Sequence, residues 1–239
     1  MNYLFVVAHP DDESGAAGGT IYRLVQQGHR VAVAIMVSQA AARLNRSSTL
    51  ELDEEKALKI LGVERIYHAD FPNIKMNTVP HLELVQFIEG CIDDFRAEAI
   101  VTHHPTDTNN DHAMTSGAAQ AACRLFQRRP TDYRLHLFMY METPSATDWS
   151  LDSSANRFTP NCFVEIGQEG LDAKLRAMAE YKGVMRPYPH PRSEENYRGL
   201  AAYRGAQAGL CYAEAFEIAS RVYRSKGGKK SNNKTLTFF

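Results

Sequence analysis

An α/β fold with a mostly parallel sheet flanked by helices, in a single domain, is what the sequence predicts from three observations. Short runs of β-branched and other apolar residues alternate with longer stretches of helical period, the order of repeated strand and helix units. Glycines stand where helices should stop, at Gly28 and Gly62. The chain has 239 residues, enough for one continuous core, so one domain is the default.

YLFVVA (3–8) reads as the first strand. A helix follows from Ser14 to about Gln27, and RVAVAIMV (30–37) returns as the second strand. The next helix begins near Ser48, whose hydroxyl can cap it while Glu51 reaches back in a capping box, and it ends at Gly62. RIYHAD (65–70) is the third strand; a loop then leads to a helix from Thr78 to about Phe95, with Leu82, Val85, Ile88 and Ile92 on one face. AEAIVT (97–102) is the fourth strand, and an alanine-rich helix after Asp111 leads to a strand at RLHLFMY (134–140).

From Met141 to Pro160 Thr, Ser, Pro and Asp dominate, which predicts a long ordered excursion over one face of the sheet, of a length that usually covers a site. A strand at CFVEI (162–166), a helix over 169–184, the loop RPYPHPRS, a helix from about Glu194 and a strand near AEAFEIA (213–219) complete a domain spanning 1–224. Residues 225–239, basic and rich in Gly and Asn, are expected to form a flexible tail.

The formal charge of -1, from 27 basic and 28 acidic residues, leaves no basic field to hold a nucleic acid. Cys91, Cys123, Cys162 and Cys211 show no CxxC spacing, which speaks against a thiolate zinc site or a disulfide framework. With no leader-like N-terminus and no window near 18 apolar residues, a cytoplasmic protein without a membrane span is expected. A homo-oligomer is possible, with the 141–160 excursion as a source of interface.

Two segments at predicted strand ends are chemically loaded. AHPDDE follows the first strand and THHPTDTNNDH (102–112) follows the fourth. In an open parallel sheet such loops gather at one edge, so His9, Asp11, Asp12, Asp111 and His112 meet in one crevice if the two strands are neighbours. Two imidazoles and a carboxylate are a common protein set for a catalytic zinc with an open position. His9 and Asp12, three apart, can share one ion from a single turn, His112 can complete the set, and Asp11 stays free to take a proton from water. Pro10 holds the strand end rigid, and Asp111 can orient a neighbouring imidazole. Glu13 is then only a helix-start acid. A plainer alternative stands beside this one, with Asp11, Asp12 and Ser14 as caps of the following helix and His9 as a turn residue.

AHPDDE and HHPTDTNNDH resemble the two metal motifs of the zinc-dependent N-acetylglucosaminyl deacetylases of the LmbE-like or PIG-L type. The likeness extends to FPNIKMNTVP (71–80), FTPNCFVEI (158–166), PHPRS (189–193) and RGAQAGLCYAEAF (204–216), nearly the whole chain apart from the tail. The resemblance implies a Rossmann-like fold, Zn²⁺ or alternatively Fe²⁺ held by His9, Asp12 and His112, Asp11 as general base, and Asp111 as the acid that supports a histidine. It implies a small N-acetylated sugar as substrate, hydrolysed at the amide.

The chain departs from the family at Asn109, where several relatives carry a histidine proposed to help the oxyanion or the leaving amine. His103, His104 and His190 are candidates to replace it. The segment SQAAARLNR also departs, although Arg43 or Arg46 could meet the sugar there. His190 and Arg192 on PHPRS are further sugar-binding candidates, with the alternative that Arg192 only ties helices together through Glu194 or Glu195. Trp149 could stack on a sugar or anchor its loop.

Rival readings are a deacetylase of another N-acyl compound, such as an aminoglycoside precursor or thiol conjugate, a nucleotide-binding module, and a noncatalytic carbohydrate-binding protein. SGAAGGT lacks the GxGxxG spacing and follows an acidic pair that would repel a pyrophosphate, so its glycines are expected to allow close helix–sheet packing.

Overall fold

A computed structural model describes residues 1–38, 50–151 and 156–223. The strand-and-helix alternation is realised as β1 (Asn2–Val7), α1 (Asp12–Gln26), β2 (Arg30–Ile35), α2 (Leu50–Leu61), β3 (Arg65–His68), α3 (His81–Phe95), β4 (Ala99–His103) and α4 (Asn110–Ala122). The second half adds α5 (Leu125–Arg128), β5 (Leu137–Met141), β6 (Cys162–Glu165), α6 (Gly167–Glu180), α7 (Glu194–Ala208) and β7 (Ala213–Arg221). Ser48 and the tail 225–239 lie outside the described residues.

Among the described residues the strands form one sheet in the order β3-β2-β1-β4-β5-β7-β6. β1 to β5 are mutually parallel, and β7 runs antiparallel to both β5 and β6. The chain steps outward from β1 to β3, then crosses back to place β4 on the other side of β1, with Tyr3 opposite Ala99 and Val6 opposite Thr102. Loops leaving β1 and β4 therefore diverge at their carboxyl ends and open a crevice at this switch point.

Alternation along β1 divides its side chains between two cores. Tyr3, Phe5 and Val7 join Ile21 and Leu24 of α1, Leu58 of α2 and Ala173 of α6 on one face, while Leu4 and Val6 join α3 and α4 on the other. In α3 the buried arc is Leu84, Val85, Ile88, Cys91, Ile92 and Phe95, and Leu82 is 63% exposed. At 100° per residue Leu82 falls outside that arc, so a spacing of three from Val85 did not place it inward.

The glycines after the acidic turn serve helix–helix packing rather than the expected helix–sheet contact. A Cβ on Gly19 would lie 2.8 Å from Ile166, at the start of α6, and one on Gly18 would press on Lys174 of that helix. α1 is also broken at Ala17 (φ -136°, ψ 15°). The freed amides of Gly19 and Thr20 donate to the Glu214 carboxylate at 3.1 and 2.7 Å, and Lys174 Nζ donates to it at 2.7 Å. The first turn of α1, which carries the acids, is thus anchored separately from the rest of the helix. Among the described residues no helix is long and apolar enough to cross a membrane.

Candidate active site

β1 delivers the chain to His9 and Pro10, and Asp11 then takes a left-handed backbone, φ 103° and ψ -26°, before α1 begins. Asp11 occupies the N-cap position but its side chain makes no capping hydrogen bond. The turn directs adjacent carboxylates to different partners. Asp12 Oδ2 lies 3.3 Å from His9 Nδ1 and 3.4 Å from His112 Nε2, and it accepts from the His9 amide at 2.9 Å. Asp11 Oδ2 instead accepts from Arg192 Nη1 at 3.1 Å.

The loop after β4 supplies the rest. Asn109 caps α4 by accepting from the Asp111 amide at 2.9 Å, which explains an Asn at that position and leaves its Nδ2 group as a donor. Asp111 turns inward: Oδ2 is 3.1 Å from His9 Nε2 and also accepts from the Ile74 amide at 2.6 Å, while Oδ1 accepts from the Met76 amide at 3.2 Å. The segment FPNIKM is therefore docked on the site by its backbone. His112 Nδ1 bonds Asp107 Oδ2 at 3.1 Å, so each imidazole has a carboxylate behind it and its other nitrogen turned toward Asp12.

His103 stacks on His112 with ring centroids 3.8 Å apart. Its Nε2 accepts from the Ala8 amide at 2.9 Å, so the 3.3 Å approach of Asp12 Oδ2 to that nitrogen carries no shared proton. His104 packs edge-on against Tyr140 and Phe158 and pairs with Thr106. His190 accepts from the Arg192 amide on the loop that includes the cis Tyr188–Pro189 bond. Arg192 reaches Asp11 and Ser145, whereas Glu194 is paired with Arg198. Arg43 and Arg46 lie outside the described residues. The described part of the 141–160 excursion runs along this crevice rather than across a sheet face: Thr143 meets His103, Ser145 meets Arg192, and the Trp149 carbonyl accepts from Thr108.

Burial works to lower His9 and His112, but Asp111 and Asp12 raise the first to about 10, and Asp12 and Asp107 raise the second to about 9. Burial pushes His103 down. Asp12, despite its burial, is held well below the usual carboxylate range, chiefly by His112. Burial lifts Asp11 to about 6 against the opposing pull of Arg192. The cluster is built for concentrated positive charge between His9, Asp12 and His112.

Those three residues fit a divalent cation. Their ligand atoms all lie within 4.8 Å of one another. The separations of Asp12 Oδ2 from the two imidazole nitrogens, 3.3 and 3.4 Å, match the edge of a tetrahedron with metal bonds of 2.0–2.2 Å, about 3.4 Å. Asp111 and Asp107 supply the outer hydrogen bonds that fix ring orientation in such sites.

Two participants escape sequence reasoning. Asp107 sits within the second motif, but five residues before His112 in a loop is no helical spacing, so nothing local pairs them. Glu13 does stand in the first turn of α1, but it is wholly buried and has partners that a helix-start acid does not need. It accepts from Ser14 Oγ at 2.6 Å and from Tyr181 OH at 2.8 Å.

The family model of PIG-L, GlcNAc-PI de-N-acetylase, matches residues 4–123, just over half of the 239 residues. The chain belongs to the PIG-L family. Both loaded loops of this PIG-L member lie inside the matched stretch. It is similar to the uncharacterized deacetylase YaiS of Escherichia coli K12, at 28% identity over 189 residues that cover 75% of this chain and 89% of YaiS.

Among solved structures, the N,N'-diacetylchitobiose deacetylase of Pyrococcus horikoshii superposes with a TM-score of 0.74 at 19% identity, covering 92% of this chain and 84% of that one. GalB, the 4-carboxy-2-hydroxymuconate hydratase of Pseudomonas putida KT2440, superposes with a TM-score of 0.75 at 19% identity, covering 95% and 99%. A deacetylase and a hydratase share this backbone. For a PIG-L member the reaction must therefore be argued from side chains.

Proposed function

We propose that this PIG-L member is a metal-dependent hydrolase that removes the N-acetyl group from a 2-acetamido sugar or its glycoconjugate. The observation that carries this reading is the division of labour between adjacent acids: Asp12 faces His9 and His112, while Asp11 turns away and keeps its carboxyl for proton transfer. A divalent cation held by His9, Asp12 and His112, Zn²⁺ or Fe²⁺, would supply Lewis acidity at the amide carbonyl oxygen.

Asp11 takes a proton from the attacking water and passes it to the amide nitrogen as the C–N bond breaks, so acetate and a free amine leave. Arg192 holds the Asp11 carboxyl in place and favours its ionised form before attack. Asp111 fixes the ring of His9 and Asp107 that of His112. Asn109, through its Nδ2 group, His190 and Arg46 are proposed to contact the sugar.

Metal-replete protein is expected to release acetate and amine in equal amounts from at least one of N-acetylglucosamine, its glycosides or its nucleotide-linked form. A chelator should abolish the release and added Zn²⁺ should restore it. Release from none of these, with the metal site filled, would overturn the reading. Asp107→Ala, which leaves all three ligands in place, should weaken metal binding by roughly 10- to 100-fold in competition with a chromophoric chelator. Unchanged affinity would remove Asp107 from the role of orienting His112.

A further inference from the structure

We propose that Glu13 is a positioning residue for Asp11, holding the left-handed turn that separates the base from its ligand-bearing neighbour. The inference rests on the reading of Asp11 as the base. Among residues with side chains, φ near 100° is a strained conformation that glycine alone adopts freely. Glycine cannot serve at position 11 if a carboxyl is required there, so the strain must be offset from outside the residue.

The Asp11 amide donates to Glu13 Oε2 at 3.2 Å, and the Asp11 carbonyl accepts from the Gly15 amide at 2.8 Å. Glu13 is itself fixed on its other oxygen, since Oε1 accepts from Ser14 Oγ at 2.6 Å and from Tyr181 OH at 2.8 Å. Tyr181 is 1% exposed and follows α6, so the hydroxyl is held by packing against the core. A carboxylate gripped at both oxygens cannot rotate without giving up one of these bonds. The chain Tyr181, Glu13, Asp11 ties the proton-transfer group to α6 without touching a metal ligand.

The test combines kinetics, metal analysis and crystallography on the full chain. Glu13→Ala should lower kcat about ten- to a hundredfold, leave KM within about twofold and metal stoichiometry unchanged, and let Asp11 relax out of positive φ. Glu13→Gln, which keeps an oxygen for the Asp11 amide, should stay within about threefold of the parent. Tyr181→Phe preserves volume and removes one donor, so kcat should fall about threefold; it decides the matter if Glu13→Ala does not fold. A folded, metal-loaded Glu13→Ala or Tyr181→Phe protein with parental kcat, and Asp11 still near φ 100°, would overturn the proposal, leaving Glu13 a purely structural acid. A fully active Asp11→Asn variant would overturn the base assignment instead, while the Asp11 backbone in Glu13→Ala still tests the positioning.

Discussion

Replacing Asp11 by asparagine is expected to lower kcat by about 10²- to 10⁴-fold, the range that one positioned proton-transfer group contributes. The change is nearly isosteric, and the carboxamide oxygen can still accept from Arg192 Nη1, so the turn and the PHPRS loop keep their contact. Arg192 Nε also retains its bond to Ser145 Oγ at 3.2 Å. None of the three presumed ligands is altered, and metal content should match the parent. A carboxamide, however, cannot take the proton from water. Steady-state kinetics with metal analysis on the same preparation decide the matter, and parental turnover would show that the base is another group.

His112→Ala is expected to act on metal and fold together. It removes one of three ligand atoms and also leaves Asp12 and Asp107, both buried, without the imidazole that lies between them. Breaking a buried charged pair from one side commonly costs about 3–5 kcal/mol. At roughly 2–4 °C per kcal/mol for a chain of this size, the melting temperature should fall by about 10 °C. Zinc stoichiometry, measured after dialysis against a weak chelator, should drop below one per chain, and activity should fall with it. A variant that keeps full occupancy would exclude His112 from the ligand set; one that loses metal but melts at the parental temperature would mean that Asp12 and Asp107 find other partners.

Much of the fold is legible in local pattern. β-branched runs of four to eight residues and amphipathic helices report their own state, because strand and helix periods depend only on near neighbours. The first five strands overlap the predicted runs, with each end within three residues of the expected one. The misjudged details have local causes too. Leu82 belongs to the spacing of a helical face but not to the arc that α3 buries. The glycines of SGAAGGT announce a close approach without saying that α6 is what approaches.

The site divides in the same way. AHPDDE and TNNDH declare a concentration of imidazole and carboxylate that a helix cap alone does not need, and that much is written in the order of residues. Which carboxylate meets which imidazole depends on contacts across the molecule. Asp111 meets His9 across 102 positions, Arg192 meets Asp11 across 181, and Tyr181 meets Glu13 across 168. These pairings exist because the strand order reverses between β1 and β4, bringing two loops to one crevice, and because α6 packs on α1 and α7 on α6. Local residue order can place a charged group at a strand end, but the folded neighbours that desolvate, pair and orient that group settle whether it binds, supports or transfers a proton.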